Sequence, residues 1–265
     1  IVYGANTIDL RIFAQEAGKD YMTNWASWLD VQNGADLRGQ NSFQSKRKFM
    51  ATPRDLASYV HFDQLYQAYL NAAINLLERG VPLSFGFPNG NSHQTRGAFA
   101  TFGGPHILSL VTEVASRALK AVRRQKFQIH LRARPENLAA MIALSANNRG
   151  QELGSAESAM NALYNNLSGK IPNILKGINH HNKAQNEADH QAISCDDPFV
   201  KYGTSSPVID PTDNKNYLLP IAFPEGSPMH ATYGAGHATV AGACVTVLKA
   251  FFERYQSPYN WNEIT

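Results

Sequence analysis

The sequence predicts a mainly α fold, and three observations carry that prediction. Long stretches place apolar residues three and four apart, the repeat of one helix face. Strict apolar–polar alternation, the mark of a half-buried strand, is almost missing. The composition, 43% hydrophobic and only 17% charged over 265 residues, is that of a chain burying a sizeable core rather than a disordered one.

The first helical stretch is "TPRDLASYVHFDQLYQAYLNAAINLLERG", from Thr52 to Gly80. Thr52 is placed to cap it, Pro53 suits its first turn, Asp55 sits where the helix dipole favours an acid, and Gly80 stops it. Tyr59, Tyr66, Leu70, Ala73 and Leu77 share one face, an aromatic stripe that reads as core together with Tyr69. A second helix runs from Pro105 to about Arg124, with Ile107, Val111, Val114, Ala118 and Val122 inward. Further helices are expected after Pro135 ("ENLAAMIALSA"), around "ESAMNALYNNL", and from His237 to about Tyr255. Two long irregular regions interrupt them: the Gly-, Asn- and Ser-rich "PLSFGFPNGNSHQTRGAFATFGGP", and the stretch from about His180 to Pro220. With no internal repeat and no low-complexity segment, residues 1–265 read as a single helical domain.

Several function classes are disfavoured. A net charge of +3, scattered along the chain, does not argue for nucleic acid, and the cluster Lys46, Arg47, Lys48 reads as a solvated loop. No run approaches the ~18 consecutive apolar residues of a membrane span, since Lys249 interrupts even the stretch from Ala238. Cys244 lies in an apolar helical run and reads as a buried small hydrophobe, whereas Cys195 in "ISCDDPF" could pair or stay free. The opening "IVYGANT" has neither Met nor a basic-then-apolar leader, so the chain is read as part of a longer protein.

Two stretches carry candidate chemistry. In "RRQKFQIHLRARPENL", Lys126, His130 and Arg134 are spaced by four, a step that drifts about 40° on an α-helix, so Lys126 and Arg134 could converge on one small anion. The Arg134-Pro135 step pushes Arg134 out of α geometry and so can end the helix and aim its guanidinium inward. In "HATYGAGHATVAGACVTVLKAFF", His230 and His237 flank a small-residue turn that leads into a helix. A Gly-x-Gly-His turn at a helix start exposes backbone N–H groups at the positive end of the dipole, and Gly236 lets an oxyanion reach the main chain. Either stretch alone has a bland reading: a solvated basic face for the first, and for the second a turn at Gly234 and Gly236 with Ala238, Gly242 and Ala243 permitting close helix packing.

Together, "QKFQIHLRARPENL" and "FPEGSPMHATYGAGHATVAGACVTVLKA" resemble the vanadium-dependent haloperoxidases, in particular the bromoperoxidase branch of algae and cyanobacteria. Weaker similarity runs through "YMTNWASWLDVQNG" and "ATPRDLASYVHFDQLYQAYLNAAINLL", so the resemblance covers most of the chain. It implies an all-α helical bundle of the vanadium haloperoxidase and acid phosphatase type, with long irregular loops. It also implies vanadate as cofactor, with hydrogen peroxide, a halide and a small organic molecule as substrates, and a homo-oligomer. Lys126 and Arg134 would bind equatorial vanadate oxygens, Gly236 would donate its backbone N–H, and His237 would act as general acid–base on peroxide. His230 would stand near the halide pocket, as would Arg123, whose positive charge suits drawing a halide in. Related enzymes imply a secreted, periplasmic or cell-surface setting.

Oxyanion chemistry explains these residue types. Fixed cations and N–H donors hold vanadate and withdraw charge from it, and imidazole, the side chain that titrates nearest neutrality, moves the proton of peroxide. Two departures from the family pattern stand out. Ala235 occupies the place of the usual Ser, which removes one hydroxyl donor. The family's third signature, with the histidine that ligates vanadium directly, is not found before Thr265 and is expected beyond it, so no metal ligand is assigned in this chain.

Two other readings remain open: a phosphatase of the same superfamily, since phosphate and vanadate share charge and shape, and a non-catalytic helical scaffold. The remaining histidines have ordinary explanations. His180, His181 and His190, near Glu187, Asp189 and Asp196, lack tight metal-ligand spacing and read as a polar surface loop, as does His93. His61 and His106 read as packed or capping.

Overall fold

The computed structural model describes residues 1–87, 95, 98–188 and 215–253. In chain order these form β1 (Val2–Tyr3), β2 (Asn6–Thr7), α1 (Trp25–Gln32), α2 (Pro53–Phe62), α3 (Gln67–Glu78), α4 (Gly104–Arg124), a π-helical turn (Gln125–His130), α5 (Pro135–Ala146), a 3-10 segment (Gly150–Ala156), α6 (Glu157–Lys170), α7 (Pro172–Glu187) and α8 (Gly236–Phe251). Among the described residues β1 and β2 make the one sheet, a two-stranded antiparallel hairpin, and the rest is helix and loop. The all-α expectation therefore holds. No helix among the described residues is long and apolar enough to cross a membrane.

The chain divides into two compact units, Ile1–Arg11 with Tyr59–Leu131 and Thr232–Thr265, and Ile12–Ser58 with Arg132–Ala231, so the division falls within α2. In the first unit the apolar rows of α4 and α8 meet along their length: Ile107, Val111 and Ala115 pack with Val240, Cys244, Leu248 and Phe251, and Ala73 of α3 closes the cluster. Burying each large aliphatic side chain contributes about 1.5–3 kcal/mol, which is why the i, i+4, i+8 rows decide this packing. Tyr66, Tyr69 and Leu77 lie against the same cluster, so the aromatic stripe is core, as expected. Gly103 caps α4 where a Cβ would stand 2.2 Å from the Phe99 carbonyl oxygen, an approach only glycine permits. His106 caps as expected, its Nδ1 accepting from the Phe102 N–H at 3.1 Å. Cys244 is fully buried and free, and burial raises its thiol pKa.

The second unit is built around α5, α6 and α7. Trp25, Ala140, Ala143, Leu144 and Leu218 form one cluster, and Met22, Val31 and Leu37 another. A polar seam ties the loops to α7: Asn182 Nδ2 donates to the Leu218 carbonyl at 2.9 Å, and Asn216 Nδ2 donates to the Thr23 carbonyl at 2.6 Å. These bonds satisfy backbone carbonyls that would otherwise be buried without partners.

Several sequence expectations need correction. The stretch from Thr52 to Gly80 is two helices, α2 and α3, interrupted at Asp63–Tyr66. Aspartate competes poorly for mid-helix geometry, and Gln67 Oε1 accepts from the Gln64 N–H at 3.1 Å to start the chain afresh. Lys126 and Arg134 do not share one α-helix: the π-helical turn ends at Leu131, which is left-handed at φ 45°, and Arg134 is extended at ψ 156°. His180 and His181 lie on α7 rather than in a loop. Lys48 is not merely solvated, because its Nζ lies 2.9 Å from the buried Asp55 carboxylate. Helix α8 stops at Phe251, short of Tyr255, and Gly242 has open space where a Cβ would stand, so it makes no close helix contact among the described residues. His93, Asp189, His190, Cys195 and Asp196 lie outside the described residues.

Candidate active site

In the first unit the start of α8 is the focus. Ala235 is its N-cap, extended at ψ 120° and with no side chain to accept from the first-turn amides. Serine, threonine or an acidic cap would occupy those donors, whereas alanine leaves them for an outside acceptor. The π-helical turn after α4 brings Lys126 to the same corner. Its wider ring is closed by the Leu131 N–H donating to the Lys126 carbonyl at 3.1 Å, and it turns the Lys126 side chain inward while Phe127 and Ile129 stay exposed.

Lys126 is only 6% exposed, and its Nζ is 4.0 Å from where a Cβ on Gly236 would stand. An ammonium beside the positive end of a helix makes a corner suited to an anion. The absent side chain of Gly236 keeps that corner open.

His237, the second residue of α8, is held from behind. Its Nε2 lies 3.2 Å from both carboxylate oxygens of Asp63, in the break between α2 and α3. Asp63 is nearly buried while His237 is half exposed. The carboxylate only accepts, so the contact assigns the proton to Nε2 and leaves Nδ1 as the ring position that exchanges a proton. Asp63 was not singled out from the sequence. Nothing in the local pattern marks it, because its use depends on a partner 174 residues away. The Tyr233 ring meets His130 edge-on at 4.6 Å, and a Cβ on Gly234 would lie 3.6 Å from Val122, so the turn before α8 is packed against the end of α4. Arg123 is exposed in the last turn of α4.

In the second unit Arg134 and His230 form a clamp. Arg134 Nε donates to the His230 carbonyl at 2.6 Å, and Nη2 lies 2.7 Å from His230 Nδ1. His230 Nδ1 also lies 2.9 Å from the Ala231 carbonyl, so the ring is held between a donor and an acceptor. Burial lowers the Arg134 pKa and the nearby Glu136 carboxylate opposes that, leaving a guanidinium charged at neutral pH. Glu136, itself buried, accepts from Ser227 Oγ at 2.9 Å and so anchors the segment leading to His230. The structure thus brings Lys126, Ala235, Gly236 and His237 together in one unit and Arg134 with His230 in the other. Among the described residues no group of three His, Cys, Asp or Glu is placed to hold a metal ion.

Known proteins resemble this chain over most of its length. The chain is 43% identical over 258 residues to the vanadium-dependent bromoperoxidase of Corallina pilulifera, covering 96% of this chain and 39% of that protein. It is 31% identical over 236 residues to the vanadium-dependent bromoperoxidase of Ascophyllum nodosum, covering 87% of this chain. Over 96% of its own length the chain is homologous to vanadium-dependent bromoperoxidases. No family model matches it. It spans 39% of the length of the Corallina bromoperoxidases it matches. A solved structure, the homohexameric second vanadate-dependent bromoperoxidase of Ascophyllum nodosum, superimposes with a TM-score of 0.67 at 23% identity over 94% of this chain and 36% of that one. That likeness shows that this chain shares the fold of the matched part of that structure.

Proposed function

We propose that the protein carrying this chain is a vanadate-dependent bromoperoxidase, which uses hydrogen peroxide to oxidise bromide, or iodide, to a hypohalous-acid equivalent that halogenates small organic molecules. The observation that supports this most directly is the buried Lys126 ammonium beside Gly236 at the uncapped start of α8. The donor set fits vanadate, because ammonium and amide N–H groups suit a small, highly charged oxyanion.

Lys126, the Gly236 N–H and Arg134 are proposed to hold vanadate oxygens, and we assign no direct vanadium ligand to this chain. Vanadate, when bound, supplies a Lewis acid that makes hydrogen peroxide electrophilic toward halide. His237 takes the proton of the incoming peroxide at Nδ1 and returns it to the departing oxygen. Asp63 fixes the ring and stabilises the imidazolium formed in between, at the Nε2–H it already accepts. His230 and Arg123 are proposed to line the approach of the halide. The His230 carbonyl, which accepts from Arg134 Nε, keeps that guanidinium fixed in direction. Homo-oligomerisation is proposed on the same footing, the solved relative being a homohexamer.

The test is bromination of a phenol dye by the full enzyme, with vanadate and bromide each added and withheld. Activity that requires both is expected. Hydrolysis of a phosphate ester with no dependence on halide would replace this reading with a phosphatase, and silence in both assays would leave a scaffold.

A further inference from the structure

We infer that His130 is a positioning residue of the oxyanion corner: its ring, set perpendicular to that of Tyr233, fixes how far the Gly236 amide stands from the Lys126 ammonium and so sets the affinity for vanadate. The inference rests on the oxyanion reading above and deepens it.

Val122, Lys126 and His130 follow one another at steps of four, and each faces the short turn 233–236. Val122, buried at the end of α4, lies 3.6 Å from where a Cβ on Gly234 would stand. Lys126 Nζ lies 4.0 Å from the same point on Gly236. The His130 ring meets the Tyr233 ring at 4.6 Å between centroids and 89° between planes. All six residues belong to the first unit. The two flanking contacts join side chains of one segment to the other, whereas the middle one sets an ammonium opposite a bare Cα. The flanking pair therefore fixes the width of the corner between them.

The backbone carries the ring contact to both donors. His130 ends the π-helical turn that the Leu131 N–H closes onto the Lys126 carbonyl at 3.1 Å, so Lys126 and His130 share one hydrogen-bonded ring. Tyr233 stands three residues before Gly236, the first residue of α8. Perpendicular rings at this separation, the edge of one on the face of the other, are a favoured aromatic arrangement. Such a contact acts through ring shape, which a phenylalanine at 130 also supplies. Oxyanion donors work only within hydrogen-bond reach, about 2.7–3.2 Å, so a shift of the corner by about 1 Å is enough to lose one.

The experiment titrates the full enzyme, freed of vanadate, with orthovanadate in a calorimeter and reads its vanadate-free melting midpoint separately. His130→Ala should bind orthovanadate about tenfold more weakly while that midpoint stays near the parent value. His130→Phe, which keeps a flat ring, should restore affinity to within about twofold of the parent. Tyr233→Leu should match His130→Ala, and the double variant should lose no more than either single one, because both remove the same contact. In dye bromination the His130→Ala deficit should be largest at limiting vanadate and shrink as vanadate is raised. Parent-like affinity in His130→Ala, an equal loss in His130→Phe, additive losses in the double variant, or affinity lost only in step with the melting midpoint overturns this inference alone. A parent enzyme that binds no orthovanadate overturns the oxyanion reading and this inference together.

Discussion

Two contacts at the start of α8 make separable predictions. Asp63→Asn removes the charge behind His237 but leaves Lys126 and Gly236 untouched. Dye bromination should fall by about 10–100-fold in kcat while vanadate affinity, read by titration of the apo-enzyme, stays near the parent value. An equal loss of both would show that Asp63 supports the fold rather than the histidine. Gly236→Ala puts a methyl 4.0 Å from Lys126 Nζ, inside the corner proposed for the oxyanion, so vanadate affinity should drop at least about tenfold with the melting temperature little changed. Ala235→Ser works in the other direction. A hydroxyl at the N-cap should add about 1 kcal/mol to stability, and an unchanged melting midpoint would refute the capping argument. Gly236 and His237 were legible as candidates in the sequence because both lie in one short turn. Asp63 was not, because its role is defined by a contact 174 residues distant and not by its neighbours.

Helices α2, α3 and α4 show where periodicity is sufficient and where it fails. The inward row of α4, Ile107, Val111 and Val122, was read correctly from steps of three and four. Ile107→Ala should therefore cost about 2–5 kcal/mol in chemical denaturation, since the site sits fully buried between α3, α4 and α8. The break between α2 and α3 went unseen because apolar spacing continues through Asp63–Tyr66, while hydrogen bonds there interrupt the helix. The π-helical turn after Arg124 is likewise invisible to a repeat of four, which counts residues and not the size of the ring that each hydrogen bond closes. At the start of α2, burial pushes the Asp55 carboxyl upward, but the Lys48 ammonium, the Ala51 and Thr52 amides and the Thr52 hydroxyl outweigh it and hold its pKa at about 2. A carboxyl depressed in the folded state contributes stability above its ordinary value of about 3.9 and loses it as the pH falls toward the folded value. Acid unfolding should steepen across that window in the parent protein and flatten there in Asp55→Asn; equal slopes would remove Asp55 from the account.

For the whole molecule, the sequence by itself determined that the chain is all-α, that it resembles the vanadium bromoperoxidases, and which turn and which basic segment are the candidates for oxyanion chemistry. These follow from composition, from repeats of three and four, and from short motifs, all of which are local. The tertiary structure decided what local patterns do not encode. It set the division into two compact units, the inward turn of Lys126 against Gly236, the seat of His237 on Asp63, and the clamp of Arg134 on His230. It also moved Lys48 from an apparent solvated cluster to the partner of a buried acid, because charge placement depends on what else is desolvated nearby. Helix periods fix faces, but pairing between distant side chains is fixed only once burial removes water as the competing partner.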